Sequence, residues 1–394
     1  MAKLTVAVLY GSRSPEHEVA IISALQVMQN LDQEKYTILP VYISKTGQWY
    51  IGNNSFLKPE SYKNLDLLVN NFRQTLLNPA SNQLQTASLS FVKKAPHIDV
   101  FFPVLHGSFG EDGTVQGLLE MMQTPYVGCG VLSSSVGMDK LVQKQVFSTL
   151  GIPQVNYIWF YRTQWQQNKS TVISILKSLK YPVFVKPVNG GSSIGITKVN
   201  SRSSLSDAID VAAAFDRKII VEESAENFHE INISVLGNSG SQLKTSVCEQ
   251  PISRNGILTF KDKYQSGNSK SSRSAGMGSG GRLIPAPLKK TTTEEISRLA
   301  KLAYSGLDCS GLSRVDFLVS PDEKQIYINE INTMPGSLSY YLWEASGLSF
   351  SHLLDELIRL ALERFSDRSQ TTYTFSSNIL QNLGRTLKGG KLKG

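Results

Sequence analysis

Hydrophobic positions in the first 125 residues follow two periodicities, one typical of buried strands and the other of helices. The runs LTVAVLY, YTILPVYIS and HIDVFFPVLHG are continuously apolar and rich in β-branched or aromatic residues, which predicts buried strands. The stretches PEHEVAIISALQVMQNL and TVQGLLEMM repeat apolar residues every three to four positions, which predicts helices. This β-α-β order predicts a parallel sheet that binds its ligand at the carboxyl ends of the strands.

The pattern changes twice further along the chain. Asp139 begins a predicted helix that Gly151 and Pro153 end, and a small β-rich unit follows it. A third unit closes with FSHLLDELIRLALERF, whose leucines recur at helical spacing. The stretch from about 52 to 94 has weak periodicity and is expected to be peripheral. The predicted divisions are residues 1–138, 139–224, 225–366 and a basic tail at 367–394.

Composition places the chain among globular proteins, because 41% of its 394 residues are hydrophobic and 18% are charged. No run of eighteen apolar residues occurs, so no membrane span is expected. Three cysteines without metal-ligand spacing favour a reducing, cytoplasmic location. The net charge of +8 lies partly in the tail GRTLKGGKLKG, and no aromatic residues alternate with a basic stripe. The charge therefore suits phosphate ligands and does not indicate nucleic-acid binding.

A lysine and a Gly/Ser loop stand together in VKPVNGGSSIGITK, between two strand-like runs. The common phosphate loop, GxxxxGK[ST], has its lysine after the glycines and before a helix, so the order here is reversed. A strand–loop–strand arrangement predicts a hairpin that could cover a phosphate. The alternative is an ordinary hairpin turn, which needs only two to five such residues.

Two β-rich runs flank the turn sequence SPDEK, which predicts a second hairpin. In the expected register Asp316 lies opposite Glu330. Arg314 then lies opposite Asn332, and strand alternation puts all four side chains on one face. The residues expected behind this face are Val315, Phe317 and Ile331.

Two carboxylates on one sheet face repel each other unless a cation lies between them. Two carboxylates and an amide oxygen suit Mg²⁺, which takes few protein ligands and completes its shell with water and phosphates. The alternative for Asp316 and Glu330 is a salt-bridge patch with Arg314 on an exposed sheet.

Six motifs in order, HGSFGEDGTVQG, MDK, VKPVNGGSSIGI, DKY, RVDF and EINTMPG, resemble those of the D-alanine–D-alanine ligases. The resemblance covers the chain from its first strand to about residue 365. It implies an N-terminal parallel-sheet domain followed by a two-subdomain ATP-grasp fold. It also implies joining of two D-alanines through an acyl phosphate, with ATP as substrate, two Mg²⁺ or Mn²⁺ ions and a homodimer. The product would serve peptidoglycan synthesis.

The resemblance also implies roles for individual residues. Lys140 and Lys186 would grip the ATP phosphates beneath Ser193, and Glu230 would bind the ribose. One extra residue in this chain leaves open whether Glu222 or Glu223 lies by the adenine. The metal ligands would be Asp316, Glu330 and Asn332, with Glu330 bridging both ions.

On the substrate side, the resemblance implies that Glu16 holds the ammonium group of the first D-alanine. Ser192 and Tyr264 would be its hydrogen-bonding partners, and they would pin the loop KDKYQSGNSKSS as a lid. The resemblance further implies that Lys263 contacts the γ-phosphate and that His106 borders the reacting carboxylate. Arg314 and the Gly336 N–H would stabilise the oxyanion.

One loop departs from the family. After EINTMPG the chain reads SLSYYLW, about four residues shorter than the usual F-T-x-x-S-M-Y-P-K-L-W. The hydroxyls that could hold the second substrate's carboxylate are those of Ser337, Ser339 and Tyr341. This departure leaves a ligase with another acceptor as an alternative. A non-catalytic nucleotide-binding regulator is disfavoured by the intact metal-ligand set, and a dehydrogenase by the lack of GxGxxG.

Overall fold

A computed structural model of the chain describes residues 3–65, 73–78, 83–86, 97–252 and 281–377. Within these ranges three sheets of four or more strands account for most of the β structure. No helix in the described ranges is both long enough and apolar enough to cross a membrane. The predicted lid residues Lys263 and Tyr264 lie outside the described residues.

The first sheet contains the N-terminal strands and is only partly parallel. Its strands are β1 (Leu4–Gly11), β2 (Tyr36–Ile43), β3 (Trp49–Ile51), β4 (Arg73–Asn78), β5 (Gln83–Thr86) and β6 (Val100–Val104). They are ordered β5-β4-β3-β2-β1-β6, and β1 pairs in parallel with both β2 and β6. The predicted parallel arrangement is confirmed for these three strands. The antiparallel strands β3, β4 and β5 extend one edge and were not predicted from their weak periodicity.

Within the described ranges, four complete helices accompany this part of the chain. They are α1 (His17–Asn30), α2 (Thr114–Met121), α3 (Val131–Met138) and α4 (Lys140–Thr149). The predicted start of α4 is confirmed, because the Asp139 side chain accepts a hydrogen bond from the Val142 N–H at 3.0 Å. This cap fixes Lys140 at the first position of the helix.

The second sheet is antiparallel, in the order β7-β10-β8-β9, and carries its own core. Its elements are β7 (Tyr157–Tyr161), α5 (Arg162–Gln167), α6 (Lys169–Ile175), β8 (Val183–Pro187), β9 (Thr197–Val199), α7 (Leu205–Phe215) and β10 (Lys218–Glu223). Strands β8 and β9 pair directly, so the strand–loop–strand prediction for the Gly/Ser segment is confirmed.

The third sheet follows the order β12-β11-β15-β16, and all its pairs are antiparallel. The elements of this part are β11 (His229–Asn238), β12 (Lys244–Thr245), β13 (Gln250–Pro251), β14 (Arg282–Leu283), α8 (Lys290–Gly306), β15 (Ser310–Val319), β16 (Ile326–Asn332), α9 (Tyr340–Ala345) and α10 (Phe350–Arg368). Short 3-10 turns lie at Asn54–Leu57, Pro59–Tyr62, Leu176–Ser178, Arg202–Ser204 and Gly336–Ser339.

The predicted register of the β15–β16 hairpin is confirmed. Asp316 pairs with Glu330, and Arg314 pairs with Asn332. The register shifts by one residue directly after Asp316, a β-bulge that alternation alone does not reveal. The residues behind this face are buried, as predicted: Val315, Phe317 and Ile331.

One hydrophobic core joins the first and third parts of the chain. Leu353, Leu354 and Leu357 of α10 are buried in the same cluster as Val6 and Val8 of β1. Polar contacts reinforce this packing, because Lys35 and Asp355 form an ion pair at 2.7 Å. Helix α10 therefore anchors the N-terminal sheet to the sheet that contains β15 and β16. The divisions at 138 and 224 remain predictions, since this core crosses both.

Candidate active site

A cavity of about 150 Å³ lies where the three sheets meet. Each part of the chain contributes polar side chains or loop backbone to its wall. The lining includes Glu16, His106, Gly191, Ser192, Glu330 and Asn332. The sites predicted separately from the N-terminal strands, the Gly/Ser loop and the hairpin thus open onto one space.

Glu16 joins the N-terminal part to the Gly/Ser loop. Its carboxylate is buried, and its Oε1 accepts a hydrogen bond from the Ser192 hydroxyl, the contact that the sequence predicted. A Cβ on Gly107 would lie 2.6 Å from Glu16 Oε2, and one on Gly191 would lie 2.8 Å from it. A side chain at either position would therefore displace the Glu16 carboxylate from its present place. Ser192 itself has φ +52°, a left-handed conformation that costs free energy in a non-glycine residue.

His106 is buried beside Glu16 and links the loop after β6 to two other segments. Its Nδ1 lies 3.2 Å from the Met334 carbonyl oxygen, and its Nε2 lies 2.9 Å from the Ser23 hydroxyl. Burial lowers the pKa of His106, although the nearby Glu16 carboxylate opposes this effect. At neutral pH the ring is therefore uncharged, with Nδ1–H donating to the carbonyl. Ser23 also accepts from the Ser337 N–H at 3.2 Å, so this chain of contacts reaches the shortened loop.

Lys140 links the Gly/Ser loop to the hairpin. Its ammonium group donates to the Gly190 carbonyl at 2.7 Å and lies 3.5 Å from Glu330 Oε2. The cation therefore stands between the loop predicted to cover phosphates and the carboxylate predicted to bind metal.

Lys186 belongs to a buried charge cluster that the sequence did not reveal in full. Its ammonium group lies 2.6 Å from Glu222 Oε2, and that of Lys144 lies 3.3 Å from Glu222 Oε1. Burial raises the pKa of Glu222, but attraction to the two lysines prevails and holds it at about 2. Glu223 contacts a different set of groups, since it accepts from Asn156 at 3.0 Å and from the Lys180 N–H at 2.9 Å, and it is half-buried. Glu222 is thus the member of the pair that accompanies Lys186.

The face of β15 and β16 carries the predicted oxygen ligands. Asp316 accepts from Arg314 Nε at 2.6 Å and Nη2 at 2.7 Å, and from Asn332 Nδ2 at 3.1 Å. The Arg314–Asp316 pair of the alternative interpretation therefore exists, but both residues are buried and Arg314 lines the cavity. Glu330 is 27% exposed and faces Lys140.

These residues fit a hard divalent ion, because two carboxylates and one amide share a single sheet face, and Glu330 and Asn332 line the cavity. The amide of Asn332 offers its oxygen by a 180° flip of the group. In the described part of the chain, no cluster of three or more His, Cys, Asp or Glu side chains forms a competing metal centre.

A second polar cluster beside Arg314 was missed at the sequence level. The Tyr341 hydroxyl donates to Glu249 Oε1 at 2.8 Å, and Asn232 Nδ2 lies 3.2 Å from the same oxygen. Arg282 Nη1 donates to Glu249 Oε2 at 3.3 Å, and its guanidinium lies 4.3 Å from the Tyr341 ring centre. Glu249 and Arg282 sit on the two-residue strands β13 and β14 or next to them, which are too short to show periodicity. The one available signal was a lone arginine after the glycine-rich run GSGG.

The shortened loop forms a left-handed turn. Ser337, Leu338 and Ser339 have φ values of +49°, +54° and +45°. The Ser339 hydroxyl is fully buried and has no hydrogen-bond partner within the described residues. Of the three predicted acceptor ligands in the described chain, Tyr341 lines the cavity and the two serines do not. Other predicted residues on the wall are Ser193, Glu230 and Gly336.

Comparison with known proteins agrees with this architecture. Residues 5–129 match the family described as D-ala D-ala ligase N-terminus, and 146–359 match the D-ala D-ala ligase C-terminus. The chain is 42% identical to a D-alanine–D-alanine ligase of Natranaerobius thermophilus, over 96% of this chain and 100% of that protein. It is 40% identical to one from Bacillus cytotoxicus, over 95% of this chain and 100% of the relative.

Two solved structures extend the comparison. The D-alanine–D-alanine ligase of Coxiella burnetii superimposes with a TM-score of 0.78 at 29% identity, covering 98% of this chain and all of that one. The VanG D-Ala:D-Ser ligase of Enterococcus faecalis superimposes with a TM-score of 0.76 at 31% identity, covering 91% of this chain and 100% of that one. Fold and cavity thus define a ligase with the ATP-grasp architecture. The chain belongs to the D-alanine–D-alanine ligase family.

Proposed function

We propose that this chain joins two D-alanine molecules into D-alanyl-D-alanine, converting ATP into ADP and phosphate, as a step of peptidoglycan precursor synthesis. The supporting observation is the shared cavity. Its wall contains the buried Glu16 for an ammonium group, the Gly/Ser loop, and Glu330 and Asn332 of the hairpin.

Binding of the first D-alanine, the acyl donor, begins at Glu16. A buried carboxylate needs a cationic partner, and the ammonium group of the first D-alanine supplies it. Ser192 holds the carboxylate oriented, and the uncharged His106 borders the substrate's carboxylate without neutralising it. Tyr264 and Lys263 complete this subsite in the proposal, on the strength of the family motif.

Phosphoryl transfer activates the donor. A donor carboxylate oxygen attacks the γ-phosphorus of ATP, the bond to the β-phosphate oxygen breaks, and ADP leaves behind an acyl phosphate. This chemistry depends on positioning and charge neutralisation, which Lys140 and Lys186 provide. Glu222 keeps Lys186 in place, and Ser193 and Glu230 bind the phosphates and the ribose.

Asp316, Glu330 and Asn332 would hold two Mg²⁺ or Mn²⁺ ions. When bound, these ions supply positive charge to the ATP phosphates. Asp316 also orients Arg314, because the ion pair between them fixes the direction of the guanidinium group.

Amide formation completes the reaction. The uncharged amine of the second D-alanine attacks the acyl carbon, and the carbonyl oxygen gains negative charge. Arg314 and the Gly336 N–H are the donors that stabilise it, and both lie on the cavity wall before the reaction begins. Collapse of the adduct breaks the bond between the acyl carbon and the phosphate oxygen, and the proton lost by the attacking nitrogen leaves on the phosphate.

The direct test is ADP release by the purified chain with ATP, Mg²⁺ and D-alanine, followed by product identification by mass spectrometry. We expect one ADP for each D-alanyl-D-alanine. No ADP release with D-alanine would overturn the proposal. D-Serine and D-lactate belong in the same assay, because the shortened loop and the similarity to a D-Ala:D-Ser ligase favour a different acceptor as the second candidate. A dominant mixed product would support that candidate.

The proposal includes a homodimer acting in the cytoplasm with small-molecule substrates only. Family resemblance supports the dimer, and light scattering on the purified chain measures it: a monomeric mass would contradict this part alone.

A further inference from the structure

We propose that Ser23 is a positioning residue for the oxyanion donor: together with His106 it holds the backbone on both sides of the Gly336 N–H. This inference rests on the proposed function and concerns its amide-forming step. Three hydrogen bonds carry it, and they link helix α1, the loop after β6 and the shortened loop.

The Gly336 N–H belongs to a peptide unit whose two neighbours are each fixed by a side chain. In the unit before it, the Met334 carbonyl oxygen lies 3.2 Å from His106 Nδ1. In the unit after it, the Ser337 N–H donates to the Ser23 hydroxyl at 3.2 Å. Because peptide units are planar, fixing both neighbours leaves little rotational freedom to the unit between them.

The turn itself restricts this segment further. The ring of Pro335 holds φ at −66°, and the Leu338 N–H donates to the Pro335 carbonyl oxygen at 2.9 Å. Ser337 and Leu338 have the left-handed φ values of +49° and +54°. Non-glycine residues keep such a conformation only where the surrounding structure holds them. The Ser23 hydroxyl, bound to the first of these two residues, is one contact that does so.

The directions of the three hydrogen bonds are mutually consistent. A carbonyl oxygen can only accept, so His106 Nδ1 carries the hydrogen and Nε2 carries a lone pair. The Ser23 hydroxyl lies 2.9 Å from Nε2 and donates to it, while its oxygen accepts from the Ser337 N–H. Burial lowers the pKa of His106 and so favours the uncharged ring that this arrangement requires, although the nearby Glu16 carboxylate opposes the effect.

Burial makes the Ser23 hydroxyl difficult to replace by water. Ser23, His106 and Ser337 are 1%, 3% and 4% exposed. Loss of the hydroxyl would leave a buried N–H and a buried ring nitrogen without this partner, which costs free energy unless the turn moves. A movement of this turn displaces the Gly336 N–H from the oxyanion.

Helix α1 relates this contact to the donor subsite. Glu16 is the N-cap residue of α1, and Ser23 follows it by close to two helical turns. The two side chains therefore lie on the same side of the helix, roughly 10 Å apart along its axis. One helix thus sets the distance between the acid proposed for the ammonium group and the backbone proposed for the oxyanion.

The test is Ser23→Ala, which removes the hydroxyl and little volume. Oxyanion donors act in the transition state, so we expect kcat to fall about tenfold to a hundredfold. The KM for ATP should change by less than about threefold. The same limit applies to the two constants for D-alanine, which the dependence of the initial rate on D-alanine concentration resolves.

Ser44→Ala is the matched control and should keep the wild-type kcat. Ser44 is also a buried serine, and its hydroxyl accepts a backbone N–H, that of Gln48 at 3.1 Å, in the turn between β2 and β3. An unchanged kcat in Ser23→Ala would overturn the proposal. So would a rise in the D-alanine constants as large as the fall in kcat, because it would mean that the substrate site as a whole has loosened.

A measurement on the wild-type chain keeps the proposal testable even if Ser23→Ala fails to fold. ¹⁵N NMR of histidine-labelled protein distinguishes the two neutral tautomers, and the His106 signals are identified by their absence in His106→Gln. We expect hydrogen on Nδ1 and none on Nε2 at pH 7. A ring with its hydrogen on Nε2, or a charged ring, would overturn the proposal. Failure of the proposed function appears separately, as absence of ADP release by the wild-type chain with D-alanine.

Discussion

At the scale of single residues, the charge cluster around Glu222 stabilises one arrangement of the phosphate-side lysines. Two buried ammonium groups converge on one buried carboxylate, so removal of the carboxylate leaves both without their main counter-charge. The sequence marked Lys186 by its motif. Lys144 lies inside a helix without any local signal, so only the three-dimensional contact reveals its role.

We predict that Glu222→Gln lowers the free energy of unfolding at pH 7 by about 3–5 kcal/mol, as for other broken buried ion pairs. Urea unfolding monitored by circular dichroism measures it. Glu223→Gln is the matched control, because that half-buried neighbour contacts Asn156 and the Lys180 N–H and not the two lysine ammonium groups. Equal stability of the two variants would contradict the account.

The charge cluster around Glu222 also predicts that stability depends on pH. The pKa of Glu222 is about 2 in the folded chain, below the ordinary glutamate value near 4.3. Its contribution to stability is therefore complete above the ordinary value and is lost as the pH falls towards 2. The difference in unfolding free energy between wild type and Glu222→Gln should shrink between about pH 4.5 and 2. A difference that stays constant over this range would show that Glu222 is not paired in solution.

At the scale of elements, the β15–β16 hairpin shows what a sequence pattern can establish. A turn sequence between two alternating runs sets the register, so the common face of Arg314, Asp316, Glu330 and Asn332 was predictable from side-chain period alone. The bulge after Asp316 was not predictable, because it depends on how the strand bends against its neighbours. Nor could the pattern show that Asp316 is buried while Glu330 is partly exposed.

This difference in burial decides which substitution tests the metal site cleanly. We predict that Glu330→Gln lowers kcat about a hundredfold or more, roughly 3 kcal/mol of transition-state stabilisation, with little change in stability. Asp316→Ala should also remove activity, but it leaves the buried Arg314 without its counter-charge and so destabilises the fold. Turnover near the wild-type rate in Glu330→Gln at limiting Mg²⁺ would contradict the metal-ligand role and leave this residue with a purely structural one.

The shortened loop stores backbone strain at Ser339, whose φ is +45°. Glycine adopts this conformation without the Cβ clash, so Ser339→Gly should be more stable than Ser339→Ala by about 1 kcal/mol. Urea unfolding of the two variants measures the difference. A more stable alanine variant would mean that the turn is not left-handed in solution.

At the scale of the whole molecule, the order of motifs along the chain was sufficient to predict the fold class. It could not predict that α10 packs on the first sheet. The amphipathic pattern shows that one face of the helix is buried, but it does not show which part of the protein covers that face. The Arg282–Glu249–Tyr341 cluster was hidden for the same reason. Its members are separated by tens of residues and come together only when the third sheet and the shortened loop are in place.

The shared core predicts cooperative unfolding of the first and third parts. Leu357→Ala removes a buried side chain from that core and should cost about 2–5 kcal/mol. Hydrogen exchange should then show lower protection in both β1 and α10. Ile209→Ala, in the separate core of the second sheet, should affect residues 157–223 alone. Loss of protection confined to α10 in Leu357→Ala would contradict the shared core.

The central claim is that the donor's carboxylate takes the γ-phosphoryl group of ATP before the amide bond forms. In that mechanism one carboxylate oxygen leaves with the phosphate when the second amine attacks. The most direct measurement supplies D-alanine labelled with ¹⁸O in its carboxyl group, with ATP and Mg²⁺, and records the mass of the phosphate released. The account predicts one ¹⁸O atom in each phosphate for each D-alanyl-D-alanine formed. Dipeptide formation with unlabelled phosphate would contradict it.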